Sequence, residues 1–95
     1  MHVAFTTEAR RDIRAIAIFI AADSPTRAAQ FSIELEAACF GLVDHPKRYA
    51  LLPKFEALGY RRRPLGQYAI IYVAAGDIQI VRVLHSAMDM DAALG

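Results

Sequence analysis

The stretch from Tyr60 to His85, YRRRPLGQYAIIYVAAGDIQIVRVLH, constrains this chain more than any other. Tyr68-Ala69-Ile70-Ile71-Tyr72-Val73 and Ile78-Gln79-Ile80-Val81-Arg82-Val83-Leu84 are dense in β-branched and aromatic residues, which suit a pleated, half-buried surface. Ala74-Ala75-Gly76-Asp77 separates them, and Gly76 supplies a positive φ for a tight turn. Ahead of them, Arg61-Arg62-Arg63-Pro64-Leu65 leads into a second turn at Gly66-Gln67. Pro64 donates nothing to a ladder and so belongs at a strand end or on a free edge. Three strands joined by short turns predict an antiparallel meander.

Alternation sorts these strands onto two faces. Ala69, Ile71 and Val73, joined by Val81 and Val83, form a wholly apolar set and are expected under the helices. Tyr68, Ile70, Tyr72, Arg82 and Leu84 face the other way and mix rings with a cation, a composition too oily for a solvated face. That face is expected to be covered by a molecule outside this chain. A hydrophobic content of 56% points the same way, since globular domains usually hold about 45–50%.

Upstream, Val3-Ala4-Phe5 reads as a short strand, and Thr7 as the N-cap of a helix opening at Glu8. Ala9, Ile13, Ile16 and Ile20 make its apolar stripe, widened by Ala17 and Phe19, with Arg10, Arg11, Asp12 and Arg14 on the other side. Ser24 caps a second helix with Pro25 at its first position, running to about Val43. Ala28, Phe31, Leu35, Ala38 and Leu42 form its main stripe; Ala29, Ile33, Ala37 and Phe40 form a second. The second stripe is expected to meet the first helix in an αα-hairpin, the other reading being an interface with another chain. His45-Pro46 ends the helix. Lys47 to Gly59 is long for a structureless loop and is either functional or partly helical, anchored by Leu51, Leu52, Phe55 and Leu58. Residues after His85 read as a short polar tail. The sum is one α+β domain spanning 1–95, β-α-α-β-β-β, with a helical hairpin on one face of a small, mostly antiparallel sheet.

Several function classes are disfavoured. The longest apolar run, Ala15 to Ala22, is far short of the roughly 20 residues a membrane span needs, and Met1 to Phe5 has no signal-peptide character. The lone Cys39 fits a reducing cytoplasm and lies on an apolar helical stripe, as a buried thiol rather than a nucleophile. His2, His45 and His85 lack metal-ligand spacing, so neither a metal nor a cofactor is expected. Net charge is only +1, but Lys47 to Arg63 carries six cations against the single Glu56, a basic segment suited to an acidic protein or a phosphate backbone.

This layout resembles the toxins of the RelE/ParE superfamily, from bacterial type II toxin–antitoxin systems. The resemblance covers nearly the whole chain. It is carried by Phe5 to Ile13 (FTTEARRDI), Ser24 to Ala28 (SPTRA), Asp44-His45-Pro46, and Tyr60 to Tyr68 (YRRRPLGQY). Ile80 to Asp89 (IVRVLHSAMD) looks like the ParE branch rather than the RelE branch. The resemblance implies a cytoplasmic toxin neutralised by a ParD-like antitoxin whose C-terminal segment folds on binding, with operator DNA read only through the antitoxin. The ParE branch is associated with poisoning DNA gyrase, and the RelE branch with cutting mRNA in the ribosome. On this reading Tyr68, Ile70, Tyr72, Arg82, Leu84 and Arg62 meet the antitoxin, and Arg61, Arg63 and Lys54 meet the target. A homologue that binds antitoxin without toxicity is a further reading.

A metal-free ribonuclease needs a base, a cation for the phosphorane and an acid for the leaving oxygen. Arg62 and Arg82 could supply charge, and His85 or Tyr72 proton transfer. The tail Met88 to Gly95 offers no Tyr, Lys or Arg, and Asp89 and Asp91 would repel phosphate. The expectation is therefore a toxin that acts by binding, with no catalytic residues. His85 alone reads as a structural residue. The Arg61-Arg62-Arg63 run is either a solvated edge or a docking site for carboxylates, which the guanidinium fork pairs bidentately.

Overall fold

The computed structural model describes residues 1–95. The order is β1 (Val3–Phe5), α1 (Thr7–Asp23), α2 (Pro25–Gly41), β2 (Tyr60–Leu65), β3 (Tyr68–Ala75), β4 (Asp77–His85) and α3 (Met90–Leu94), with a 3₁₀ turn at Glu56–Leu58. The sheet order is β1-β4-β3-β2. β2, β3 and β4 form the expected antiparallel meander, and β1 runs parallel along β4. Gly66 and Gly76 take positive φ in the two turns, and Pro64 sits on edge strand β2.

The helix boundaries follow their caps. Thr6, one residue earlier than expected, caps α1: its Oγ1 accepts the Ala9 amide at 3.0 Å. Ser24 alone separates the helices. Its amide closes α1 on the Ile20 carbonyl, and its Oγ accepts the Arg27 amide to open α2. Pro25 occupies the first position of α2 as expected.

The core has two layers, one on each face of the sheet. Under the helical hairpin, Ile70, Tyr72, Ile78, Ile80 and Val83 pack with Ala9, Leu35, Ala38, Cys39 and Leu42. Each fully buried aliphatic side chain here contributes about 1.5–3 kcal/mol by leaving water. On the opposite face, Ala69, Ile71 and Leu84 pack with Leu52 and Phe55 of the long loop and with Met90, Ala93 and Leu94 of α3.

This reverses the face assignment expected from alternation. Ile70 and Tyr72 lie under the helices, while Ala69 and Ile71 lie beneath the loop and tail. There are two reasons. Both faces are covered by the chain itself, so residue type alone does not label them. In addition, the β3–β4 register shifts between Ile71, opposite Arg82, and Tyr72, opposite Ile80. That leaves Val81 as the extra residue of a β-bulge and puts Val83, not Val81, on the helix side with Ile80. The residues after His85 are likewise not merely a polar tail: α3 is capped by the Asp89 carboxylate on the Asp91 and Ala92 amides and lays three apolar side chains on the sheet.

Candidate functional site

β1 is only three residues long, so beyond Phe5 the outer edge of β4 has no strand partner. Buried backbone donors and acceptors need partners, and side chains of the first helical turns supply them. The Thr6 hydroxyl donates to the Val81 carbonyl at 2.7 Å, and Asp12 Oδ2 accepts the Val83 amide at 3.1 Å. Asp12 also holds Arg82 in a two-point pair, Nε–Oδ2 2.6 Å and Nη2–Oδ1 3.0 Å, while Arg82 Nη1 donates to the Ala93 carbonyl at 3.2 Å. The hydrogen bonds to Asp12 raise Arg82 above even the usual arginine value. Arg82 therefore fastens α1, β4 and α3 together. Sequence reasoning left Asp12 among the solvent-facing residues of α1. The available signal was Arg82 itself: the only cation on β3 and β4 needs a carboxylate once half buried.

The other residues named for proton transfer are also engaged. The Tyr72 side chain is fully buried, and its hydroxyl donates to the Pro46 carbonyl at 2.8 Å. Burial pushes its phenol above the ordinary tyrosine range. His85 is exposed at the end of β4, where its Nδ1 accepts the Ala87 amide at 3.1 Å and its ring meets Tyr68 edge-on at 5.4 Å. Tyr68 also packs on Phe31, at 5.2 Å between ring centroids. Arg62 and Arg82 flank Ile71 in one row across the sheet, on the face opposite Tyr72. The four residues considered for nuclease chemistry are thus divided between the two faces. No three His, Cys, Asp or Glu side chains gather so as to hold a metal ion.

The face expected to receive an antitoxin is not an open surface. Ile70 and Tyr72 are fully buried and Leu84 nearly so, on opposite sides of the sheet, and Tyr68 is half buried. Open apolar surface lies instead on the helical hairpin. Phe19 is 75% exposed, Ile33 70%, Ile18 65% and Phe40 48%. Contrary to expectation, most of the second stripe of α2 is not packed on α1: Ala29, Ile33 and Ala37 are exposed, Phe40 meets Phe5 edge-on at 6.4 Å beside α1, and Phe19 does not extend the buried stripe. A shallow groove between the helices is floored by Ile13, Ala17 and Leu35 and rimmed by Arg10, Arg14 and Glu36.

The basic segment divides as well. Lys54 pairs with Asp91 of α3 at 2.6 Å, and that hydrogen bond raises its pKa. It belongs to the α3 side, apart from Arg61 and Arg63. Those two point to the helix side of β2, in register with Tyr72 and Ile70. Arg61 donates to the Tyr49 carbonyl at 2.8 Å and to that of Lys47 at 3.4 Å, tying the loop to the edge strand. Tyr49, which sequence reasoning passed over, then receives two guanidinium groups: Arg48 at 5.4 Å and Arg63 at 5.5 Å from its ring centroid. Such contacts are worth about 0.5–1 kcal/mol each at exposed sites. The chain's three ion pairs are Arg27–Asp23, Lys54–Asp91 and Arg82–Asp12, so Lys47, Arg48, Arg61, Arg62 and Arg63 lack a carboxylate partner.

No helix is long and apolar enough to cross a membrane. No curated protein matches this chain. Among solved structures, the chromosomal ParDE toxin–antitoxin system from P. aeruginosa aligns at 22% identity and a TM-score of 0.72, over 90% of this chain and 95% of that one. The toxin–antitoxin complex RelBE2 from Mycobacterium tuberculosis aligns at 27% identity and a TM-score of 0.63, over 87% and 94%. The family profile of the ParE toxin of type II toxin–antitoxin system, parDE, matches residues 3–90. With the β-α-α-β-β-β layout shared with those structures, this match establishes that the chain belongs to the ParE toxin family of the RelE/ParE superfamily.

Proposed function

We propose that this toxin acts in the cytoplasm by binding DNA gyrase, not by cleaving RNA, and that a cognate ParD-like antitoxin neutralises it. The observation that carries the binding reading is that two of the four groups a metal-free nuclease would use are engaged, and that the cations Arg62 and Arg82 lie on the face opposite Tyr72 and His85. Arg82 is committed to Asp12, the Tyr72 hydroxyl is buried on the Pro46 carbonyl, and the two lie on opposite sides of the sheet. A phosphorane needs an unpaired cation beside a mobile proton donor. The expected assay result is inhibited supercoiling or trapped cleaved DNA, with ribosome-bound mRNA intact. Site-specific mRNA cleavage that Arg82→Ala or His85→Ala abolishes in a folded protein would overturn the reading in favour of a ribosome-dependent endoribonuclease. Absence of growth arrest on induction without antitoxin would point to a homologue that has lost toxicity.

The antitoxin is assigned to the hairpin face around Ile33 and Phe40 and to the groove edged by Arg10 and Arg14. That surface is apolar and bordered by unpaired cations, which suits an acidic amphipathic segment that folds on docking. Operator DNA is contacted only through the antitoxin. Ile33→Glu combined with Phe40→Glu is expected to weaken antitoxin binding at least tenfold without unfolding the toxin. Full affinity in that variant would return the interface to Arg62, Tyr68 and the sheet.

A further inference from the structure

We infer that Arg48, Tyr49 and Arg63 form a clamp for the phosphodiester backbone of a nucleic acid. The inference deepens the gyrase reading, since gyrase works on a duplex, and it can fail separately from it.

The clamp is built rather than incidental. Arg61 spends its guanidinium on the Tyr49 and Lys47 carbonyls and so fixes the loop against β2. The Tyr49 ring is thereby held where Arg48 and Arg63 both stack on it. From those two stacking distances, the guanidinium carbons lie at most about 11 Å apart, and neither group has a carboxylate within ion-pair distance. One strand of a duplex presents a phosphate about every 3.4 Å of axial rise, and its winding sets neighbours further apart than that through space, so a clamp of this reach spans two of them at most. Arg48 is exposed, and Arg63 is half buried on the helix side of the edge strand, where one of its nitrogens donates to the Pro64 carbonyl and the rest of the fork is left for a ligand.

The ring's involvement selects the mode of contact. A tyrosine already engaged by two guanidinium groups is not a free platform for bases, which separates this patch from single-strand binders that stack bases on bare rings. Contact with backbone oxygens alone carries no sequence information. An acidic polypeptide is the less favoured occupant. Its carboxylates hang on flexible side chains at no fixed spacing, whereas phosphates come in a regular row that matches a rigid pair of cations.

The test is fluorescence anisotropy of the full-length toxin with labelled 20-base-pair DNA of two unrelated sequences, duplex RNA of the same length, and a poly-glutamate peptide. Equal, saturable binding to both DNA sequences is expected, with a log–log salt slope of roughly −2 to −3. Arg48→Ala with Arg63→Ala should lower affinity at least tenfold and flatten that slope by about 2. Tyr49→Leu, which leaves every charge in place, should weaken binding, and Tyr49→Phe should restore it. Arg11→Ala on α1 should leave binding unchanged. Tighter binding to DNA fits gyrase and tighter binding to RNA fits the ribosome; both support the clamp. Equal losses from Arg11→Ala and the double variant, tighter binding to poly-glutamate than to either duplex, or no binding in low salt would each overturn it. If the double variant loses DNA binding yet inhibits gyrase as the parent does, the clamp stands and its link to gyrase falls. If DNA binding is intact and gyrase is unaffected, only the target reading falls.

Discussion

The two faces of the sheet are both dry, but they are closed by different means. One is closed by two 17-residue helices that bury a ten-residue cluster; the other by an irregular loop and the five-residue α3, which bury a cluster of five. Helices of that greater length bring many contacts for each ordered turn, whereas a helix as short as α3 has almost no stability of its own and persists only by packing. Its polar fastening is one exposed ion pair, Lys54–Asp91, together with the Ala93 carbonyl on Arg82. Burial alone therefore does not measure how firmly a layer is closed. The helix side is expected to open only with global unfolding, and the loop side to open locally.

The largest effect should come from the helix side. Tyr72→Ala empties a fully buried site and leaves the Pro46 carbonyl unpaired, so denaturant titration should show a loss of about 4 kcal/mol. Leu84→Ala on the loop side should lose closer to 2 kcal/mol, because α3 can settle into the space. Equal losses would break the contrast. Next comes the tie between the layers. Asp12→Ala strands a half-buried guanidinium and the Val83 amide, and a loss of about 2–3 kcal/mol is expected, with faster hydrogen exchange in both α3 and the start of α1. Exchange that rises in only one of them would show that Arg82 serves one face alone.

A pH experiment sharpens the same contrast. Burial pushes the Cys39 thiol from its ordinary 9.0 up to about 12. Between those values the unfolded thiol is ionised and the folded one is not. Stability should therefore fall as pH rises across that window, by about 1.4 kcal/mol per unit at the steepest. Cys39→Ala should remove most of this slope, Tyr72 contributing a remainder above its ordinary value in the same direction. The smallest effect is expected at Lys54→Ala, where an exposed pair is lost: the global midpoint should not move measurably, while α3 amides exchange faster. A clear shift of the midpoint would mean that α3 is part of the cooperative core.

The four strands and the two long helices were legible in the sequence, because their signals are local; the short α3 was not. Ser24-Pro25 dictates a helix start, Gly76 a turn, and Pro64 an edge. What was not legible is which way each strand faces. Ala69, Ile71 and Leu84 are as apolar as Ile70, Ile80 and Val83 because both sets are buried. The covering of the second face comes from Leu52, Phe55, Met90 and Leu94, which have no periodicity to announce them. The candidate site was legible in charge but not in arrangement. The Arg61-Arg62-Arg63 run stands out, yet Arg61 is an internal strut, Arg62 faces the other side, and the ring that organises Arg63 sits in the loop. A stack between residues so far apart in the chain, like the pairing of Asp12 with Arg82, exists only after folding.

The extra residue at Val81 turns β4 into two short phrases read in different frames. Asp77 to Ile80 keeps one odd–even parity, Arg82 to His85 keeps the other, and Val81 is the comma between them. Excising that single residue would set Arg82 directly after Ile80, opposite Ile71 and Tyr72, and leave both halves in phase as one plain strand, whereas excising a residue inside either phrase would spin the rest of that phrase through half a turn. The strand can thus tolerate exchange of side chains within either phrase, or loss of the comma itself, far better than a change of count inside a phrase.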